Sequence, residues 1–537
     1  MRSIGTRHWI VLAAALAVLA IGGLWEDTKG LLRAAAASAN RAADAPASPP
    51  YLYYLPQIAR DHAPSTLTTY DWLQFGFDSK HSGNDTQETA ITLGNVGTLH
   101  LLFQITLPSV ADGAPVFLSS VTTNSGVRDL VFVTTKDGYI VALDAHTGAQ
   151  IWSHQYGPGS CTSSNGGVCY TTSSPAIDPN RQSVYSYGLD GYVHKYAVGD
   201  GTETTTGGWP ELTSLKPYNE KGSSALAIAT AKSGASYLYV AHAGYPGDNG
   251  DYQGHITAIN LSNGSQKVFN ANCSNQTVHF VVAPSTPNCS AVQSAIWARP
   301  GVIYDPDNDK IYMATGNGDF APASYDWGDT VFALNPAGTG SNGNPLDTYT
   351  PTNYQQLQNG DTDIGSTAPA ILPPASGKYA HLGVQGGKDG VLRLLNMDNL
   401  SGQGTTGKTG GEVFTMNFPP GGEILTQPAV WVNPNDNSTW VFVANDSGIA
   451  GLQLTIDGGG NPSLQSRWTG SNGTSPIIVN GILFYARSGQ ISALDPTSGN
   501  SLWSNNQIGG IHWESPIAAS GILYITDESG HLTAYSP

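Results

Sequence analysis

One unit recurs along this chain and fixes most of what it can fold into. It reads as an apolar strand, a turn, a second apolar strand, an Asp-Gly or Ser-Gly pair, a third strand, and a Thr/Ser-Gly turn. The clearest copies are Val131 to Trp152 (VFVTTKDGYIVALDAHTGAQIW), Ile482 to Trp503 (ILFYARSGQISALDPTSGNSLW) and Leu523 to Tyr535 (LYITDESGHLTAY). Weaker copies start at Val184, Gly254, Asp329 and His381. Asp-Gly and Ser-Gly suit the primed two-residue turns that join antiparallel strands. Each unit opens on a short step: Ala114-Pro115, Ser174-Pro175, Ser224-Ala225, Arg299-Pro300, Ala368-Pro369, Gln427-Pro428, Ser475-Pro476 and Ser515-Pro516. Proline fits the first residue of a strand, where its missing N–H costs no ladder bond. The steps lie about 40 to 75 residues apart, the scale of a four-stranded blade with loop insertions. No such unit buries its apolar faces alone, so the units must stack and close. The pattern predicts an all-β, eight-bladed β-propeller of four-stranded antiparallel blades. The apolar stretch Leu99 to Leu107 (LHLLFQITL) precedes the first step and has no blade of its own. It is expected to supply the outer strand of the last blade, whose own sequence ends at Tyr535.

Composition agrees with that reading. Only 12% of the 537 residues are charged and 64 are glycine, which suits short strands and tight turns. The formal net charge of -17 argues against a nucleic-acid partner, which needs a basic footprint. At the N-terminus, Arg2 and Arg7 precede an apolar run from Trp9 to Trp25, followed by small residues from Ala34 to Ala39. This is the layout of an export signal, residues 1–39. The run is slightly short for a membrane span of about 20 residues, so cleavage is favoured over an uncleaved N-terminal membrane anchor. No cysteine follows it to take a lipid. Residues 40–69, rich in Ala, Pro and Ser, read as a leader or tether, and 70–537 as the propeller. The expected location is outside the cytoplasm: periplasmic, cell-surface or secreted. Cys161, Cys169, Cys273 and Cys289 are then expected to form disulfides. The local pairs 161–169 and 273–289 are the simplest of three connectivities, and neither has the C-x-x-C spacing of a zinc or redox site.

On a propeller, function is expected on the axis, where the innermost strands begin and the inter-blade loops converge. The candidates at and just before the opening steps include Thr172, Lys221, Trp297, Arg299, Asp361, Asp363, Thr426, Gln427, Thr474, Trp513 and Glu514. That set is unusually rich in charge for this chain, although a wet channel also collects solvated polar groups. There is no G-x-S-x-G elbow, H-E-x-x-H or G-x-x-x-x-G-K motif. Asp305-Pro-Asp307-Asn-Asp309 lacks the central Gly and distal Glu of a calcium loop. It reads as a turn, like Asp178-Pro-Asn180 and Asn433-Pro-Asn435 in other blades.

From Asp71 nearly to its end the chain resembles the quinoprotein (PQQ-dependent) alcohol dehydrogenases. DWLQFGFDSKHSGN, running on to Asn95-Val96-Gly-Thr-Leu99, is similar to that family's W-x-x-(Y/F)-G-x-D opening and its N-V-x-x-L. Trp297 to Asn317, WARPGVIYDPDNDKIYMATGN, resembles its Trp, Y-D-P and G-(T/S)-G-N series. The resemblance implies that Trp297 stacks on PQQ and that Asn317 coordinates a calcium or lanthanide ion. Trp327-Gly-Asp329 stands where the family often has P-G-D. Asp361-Thr-Asp363-Ile-Gly365 stands where the family carries its catalytic Asp. One of these aspartates is the expected base and the other structural or metal-facing, so both count as catalytic and metal candidates. Lys388-Asp-Gly390 is similar to the stretch whose cation reaches the quinone oxygens, and Arg299 and Trp513 of the axial set are further cofactor-contact candidates.

The residue types suit this chemistry. A metal ion needs oxygen ligands and polarises a carbonyl, a carboxylate takes the substrate hydroxyl proton, and an indole offers a flat face. The chain also departs from the family. The adjacent Cys-Cys pair is missing, with Cys161 and Cys169 spaced apart in the corresponding loop. The glutamate ligand before GHITAIN is missing too, leaving Asp248 and Asp251 nearby. No C-x-x-C-H haem motif occurs, so the electron acceptor would be a separate molecule. Two readings follow: an exported PQQ- and metal-dependent oxidoreductase of an alcohol or sugar hydroxyl, and a non-catalytic propeller that binds a protein or glycan and no quinone.

Overall fold

A computed structural model describes residues 70–157 and 161–537. The expected signal and leader, residues 1–69, lie outside the described residues. The opening steps lead into eight innermost strands: Val116–Thr123, Ala176–Ile177, Ala227–Thr230, Ile303–Asp305, Ala370–Ile371, Ala429–Val432, Ile477–Val479 and Ile517–Ala519. Each begins a four-stranded antiparallel path, numbered here as blades 1 to 8. In blade 8, Ile517–Ala519, Ile522–Thr526 and His531–Ser536 are completed by His100–Thr106, which pairs antiparallel with His531–Ser536. The expected closure by the N-terminal strand is therefore present.

Alternate residues of the strands meet across neighbouring blades. Phe132 and Trp152 of blade 1 pack with Val184 and Tyr196 of blade 2. Tyr239 and Ile256 of blade 3 pack with Ile311 and Phe332 of blade 4, and one large cluster joins blades 7, 8 and 1. The Thr/Ser-Gly turn of the repeat has a packing role here. Gly201 has φ +72°, and a Cβ there would lie 2.6 Å from the indole of Trp152 in the preceding blade. Gly499 has φ +71° and meets Trp468 of its preceding blade at the same distance. These indoles donate to the next blade's backbone, Trp152 to Val198 O at 3.0 Å and Trp468 to Pro496 O at 2.8 Å. A glycine is needed because the left-handed backbone and the ring above it exclude a side chain.

Residues 71–85 wind along the inner edge of the ring. Leu73 O accepts from Ile177 N of blade 2, Gln74 Oε1 from Ile228 N of blade 3 and Ser79 O from Tyr304 N of blade 4. Ser82 O and Gly83 O then accept from Val430 N of blade 6 and Ile478 N of blade 7. Trp72 exchanges both backbone bonds with Phe117 of blade 1. The segment satisfies N–H groups that innermost strands would otherwise leave unpaired. Gly76 and His81 make its hairpin, with the His81 ring fully buried between the carbonyls of Phe75 and Val302.

The aspartates at 305, 307 and 309 form the expected turn. Lys80 Nζ lies 3.8 Å from Asp305 and 3.1 Å from Asp307, so a lysine already answers their charge. Cystines join Cys161 to Cys169 and Cys273 to Cys289, the two local pairs. Among the described residues no helix is long and apolar enough to cross a membrane.

Candidate functional site

A cavity of about 290 Å³ opens on the axis at the face where the innermost strands begin. Its wall includes Trp297, Arg299, Asp361, Lys388 and Trp513, five of the candidates named from sequence, together with Thr172 and Lys221 of the axial set. Thr426 and Thr474 instead line a second cavity of about 220 Å³, which shares Glu423, Leu425, His512 and Trp513 with the first. Gln427 and Glu514 are buried beneath the face.

One side of the axial cavity is built from blades 4 and 5. The helix Tyr354–Gly360 ends on Asp361, whose left-handed backbone (φ 51°) turns the chain back toward the axis. Asp361 keeps two thirds of its side chain exposed, while Asp363 is wholly buried. Lys388 Nζ joins them, 2.9 Å from Asp361 Oδ1 and 2.7 Å from Asp363 Oδ2. Burial raises the Asp363 carboxyl, to about 6, against the lowering pull of Lys388. Burial lowers the Lys388 ammonium, but Asp363 and Asp361 outweigh that and hold it above its ordinary value. Asn317 Nδ2 donates to Asp361 Oδ1 at 3.0 Å. Its own Oδ1 is buried without a hydrogen-bond partner, as are Asp363 Oδ1 and Asp329 Oδ2. Gly316 lies between Trp297 and Asp363: a Cβ there would come within 2.9 Å of the indole and 3.2 Å of Asp363 Oδ1. The sequence candidates Trp297, Asn317, Asp361, Asp363 and Lys388 are thus brought together.

The opposite side comes from blades 1 to 3 and 8. Lys136 occupies the same place before Asp-Gly in blade 1 as Lys388 in blade 5, and it too reaches carboxylates, Asp112 at 3.3 Å and Glu528 at 2.7 Å. Asp112 Oδ2 also accepts from His512 Nδ1 at 2.9 Å, and Asp112 Oδ1 from Trp513 N at 3.0 Å. Burial works against the Asp112 charge, but His512, Arg299 and Lys136 together hold its carboxyl below the usual range. The Arg299 guanidinium sits 5.5 Å from the Trp513 ring and donates to the carbonyls of Thr172, Ser223 and Asp112. Sequence reasoning missed Asp112 and His512. The shared Lys-Asp-Gly of blades 1 and 5 was the available signal. Of the two stand-ins for the absent glutamate, Asp248 lines the cavity, accepting from Tyr252 Oη at 2.6 Å. Asp251 turns away to Lys216 and Gln253. The Cys161–Cys169 cystine packs with Tyr170 and Tyr245, and Tyr170 lines the cavity.

Glu514, beside Trp513, is fully buried, and burial with Asp112 nearby pushes its carboxyl up to about 9. In the folded chain it keeps its proton through neutral pH, whereas the unfolded chain ionises it above 4.5. Its contribution therefore falls as pH rises from 4.5 toward 9. Glu514→Gln is expected to be more stable than the wild-type protein by on the order of 3 kcal/mol at about pH 8, and by nothing near pH 4. Paired thermal melts at the two pH values check this; a difference independent of pH contradicts it.

The comparisons agree with this architecture. The family described as the PQQ glucose/ethanol/alcohol dehydrogenase β-propeller domain matches residues 72–340. Among solved structures, a europium-containing methanol dehydrogenase superposes with a TM-score of 0.59 at 14% identity, over 87% of this chain and 98% of that one. The quinohemoprotein alcohol dehydrogenase of Comamonas testosteroni gives 0.58 at 16% identity, over 87% and 80% of the two chains. A quinohemoprotein alcohol dehydrogenase of Pseudomonas putida HK5 gives 0.58 at 14%, over 87% and 80%. At such identities these likenesses establish the fold alone. A search of the curated proteins finds no sequence relative. On the family match and the eight-bladed ring, this chain belongs to the PQQ β-propeller family of the glucose, ethanol and alcohol dehydrogenases.

Proposed function

We propose that the chain is a PQQ- and metal-dependent oxidoreductase working outside the cytoplasm, which oxidises an alcohol or sugar hydroxyl and hands the electrons to a separate acceptor. One observation carries the reading: Trp297, Lys388 and Asp361 line a single axial cavity, with Asn317 and Asp363 at its edge. The residues fit both absent groups. The partnerless oxygens Asn317 Oδ1 and Asp363 Oδ1 are the hard, buried acceptors a calcium or lanthanide ion takes. With Asp248, whose charge acts on Asp363, they would hold it in place of the family glutamate. Trp297 and Trp513 offer flat faces, and Arg299 and Lys388 offer cations for an aromatic polycarboxylate. When bound, the quinone supplies the hydride acceptor and the ion polarises its carbonyl.

The chain's own residues then divide the work by position. Asp361 reaches the cavity and takes the substrate hydroxyl proton on its carboxylate. Asp363, wholly buried, would supply an oxygen ligand to the ion. Lys388 holds both carboxylates in place and would offer its ammonium to the quinone oxygens. The cystines support the extracytoplasmic setting, since structural disulfides persist in oxidising compartments. Reconstitution with PQQ and Ca²⁺ or La³⁺, followed by dye-linked oxidation of a panel of alcohols and sugars, tests the reading. Metal-dependent turnover is expected. Its absence with every metal, on protein that has bound quinone, leaves the non-catalytic propeller that binds a protein or glycan.

A further inference from the structure

Two buried lysines stand in this propeller under opposite conditions. Lys216 is enclosed with acids, Glu220 at 3.4 Å and Asp251 at 3.3 Å. Lys221 is 4% exposed, and among the described residues no carboxylate comes within 4 Å of its Nζ. Its hydrogen-bond partner is the Thr172 hydroxyl at 3.4 Å. Arg299 NH1 reaches that same oxygen, also at 3.4 Å, so the ammonium and a fixed guanidinium crowd one atom. Tyr170 covers the other side, its ring centroid 4.5 Å from Nζ. Lys221 nonetheless lines the 290 Å³ axial cavity, with Tyr170 and Thr172 beside it.

We propose that Lys221 is a nucleophilic amine that captures small aldehydes in the axial cavity as an imine. A desolvated lysine beside a second cation loses its proton near neutral pH and so keeps a free lone pair. The Nζ lone pair attacks the carbonyl carbon and forms the C–N bond, and a proton passes from nitrogen to oxygen to give the carbinolamine. Loss of water then breaks the C–O bond and leaves the C=N bond, with no change of oxidation state and no further reactant. Burial is the main cause of the lowered Lys221 value, about 7, with Arg299 and Lys136 adding to it and Asp112 opposing. The inference stands apart from the quinone reading, because the reaction needs neither quinone nor metal.

The test treats the full chain with glycolaldehyde and cyanoborohydride in short pulses, and maps the alkylated lysines by peptide mass. Lys221 is expected to react about tenfold or more faster than the exposed Lys232 at about pH 7.5. Its rate is expected to level off above about pH 7. Lys221→Arg fills the position with a side chain that has no nucleophilic amine, and it removes the fast adduct while leaving the slow ones. Equal or slower labelling of Lys221 at every pH, in wild-type protein, overturns the proposal. Fast labelling in a chain that binds no PQQ leaves it standing while the quinone reading fails.

Discussion

Asp361→Asn is expected to lower dye-linked turnover by about 10²–10⁴-fold, the range of a general base, while quinone affinity changes by less than about threefold. Asparagine keeps the shape and can still accept from Asn317 Nδ2, which reaches Asp361 Oδ1 at 3.0 Å. What it loses is the ability to take a proton at the cavity surface. Asp363→Asn is expected to behave differently. Its carboxylate is buried at the edge of the site, with Oδ1 lacking a donor, so its loss falls on metal affinity first and on turnover through the metal. Single-turnover rates at saturating metal separate the two variants. If Asp361→Asn turns over normally, or loses quinone and rate together, the assignment of the base is wrong.

The second large effect is structural. Trp72→Ala is expected to destabilise the ring by about 3–5 kcal/mol, the cost of truncating a buried large aromatic. Trp72 is fully buried in the cluster joining blades 7, 8 and 1, and its backbone is bonded to Phe117. Loosening it frees residues 71–85 from inner strands on several blades at once. The expected readouts are a lower thermal midpoint and faster proteolysis near residue 72. An unchanged midpoint would mean that the segment merely rests on the ring.

The fold was legible because the repeat writes each constraint where it acts. The Ser-Pro and Ala-Pro steps open the innermost strands, the Asp-Gly pairs turn the second strand of a blade into the third, and LHLLFQITL has an apolar face that needs a partner strand. The seating of Trp152 on Gly201 follows from the same repeat, but the pairing runs between units and is visible only once they stack. The inner-edge path of residues 71–85 was hidden because it works through backbone bonds, which leave little trace in side-chain pattern. The site was partly legible. Trp297, Asn317, Asp361, Asp363 and Lys388 could be named from local motifs. Asp112 and His512 could not be paired, because they are 400 residues apart and meet only when the ring closes. Glu514 was named as an axial residue, but the structure buries it beneath the face.

The most direct measurement titrates the purified chain with PQQ in the presence of Ca²⁺ or La³⁺ and follows tryptophan fluorescence, with Trp297→Ala and Asn317→Ala alongside. The account predicts saturable, metal-dependent quenching that is largely lost in Trp297→Ala and loses its metal dependence in Asn317→Ala. No quenching at micromolar PQQ with either ion, or quenching that both variants leave intact, would contradict it.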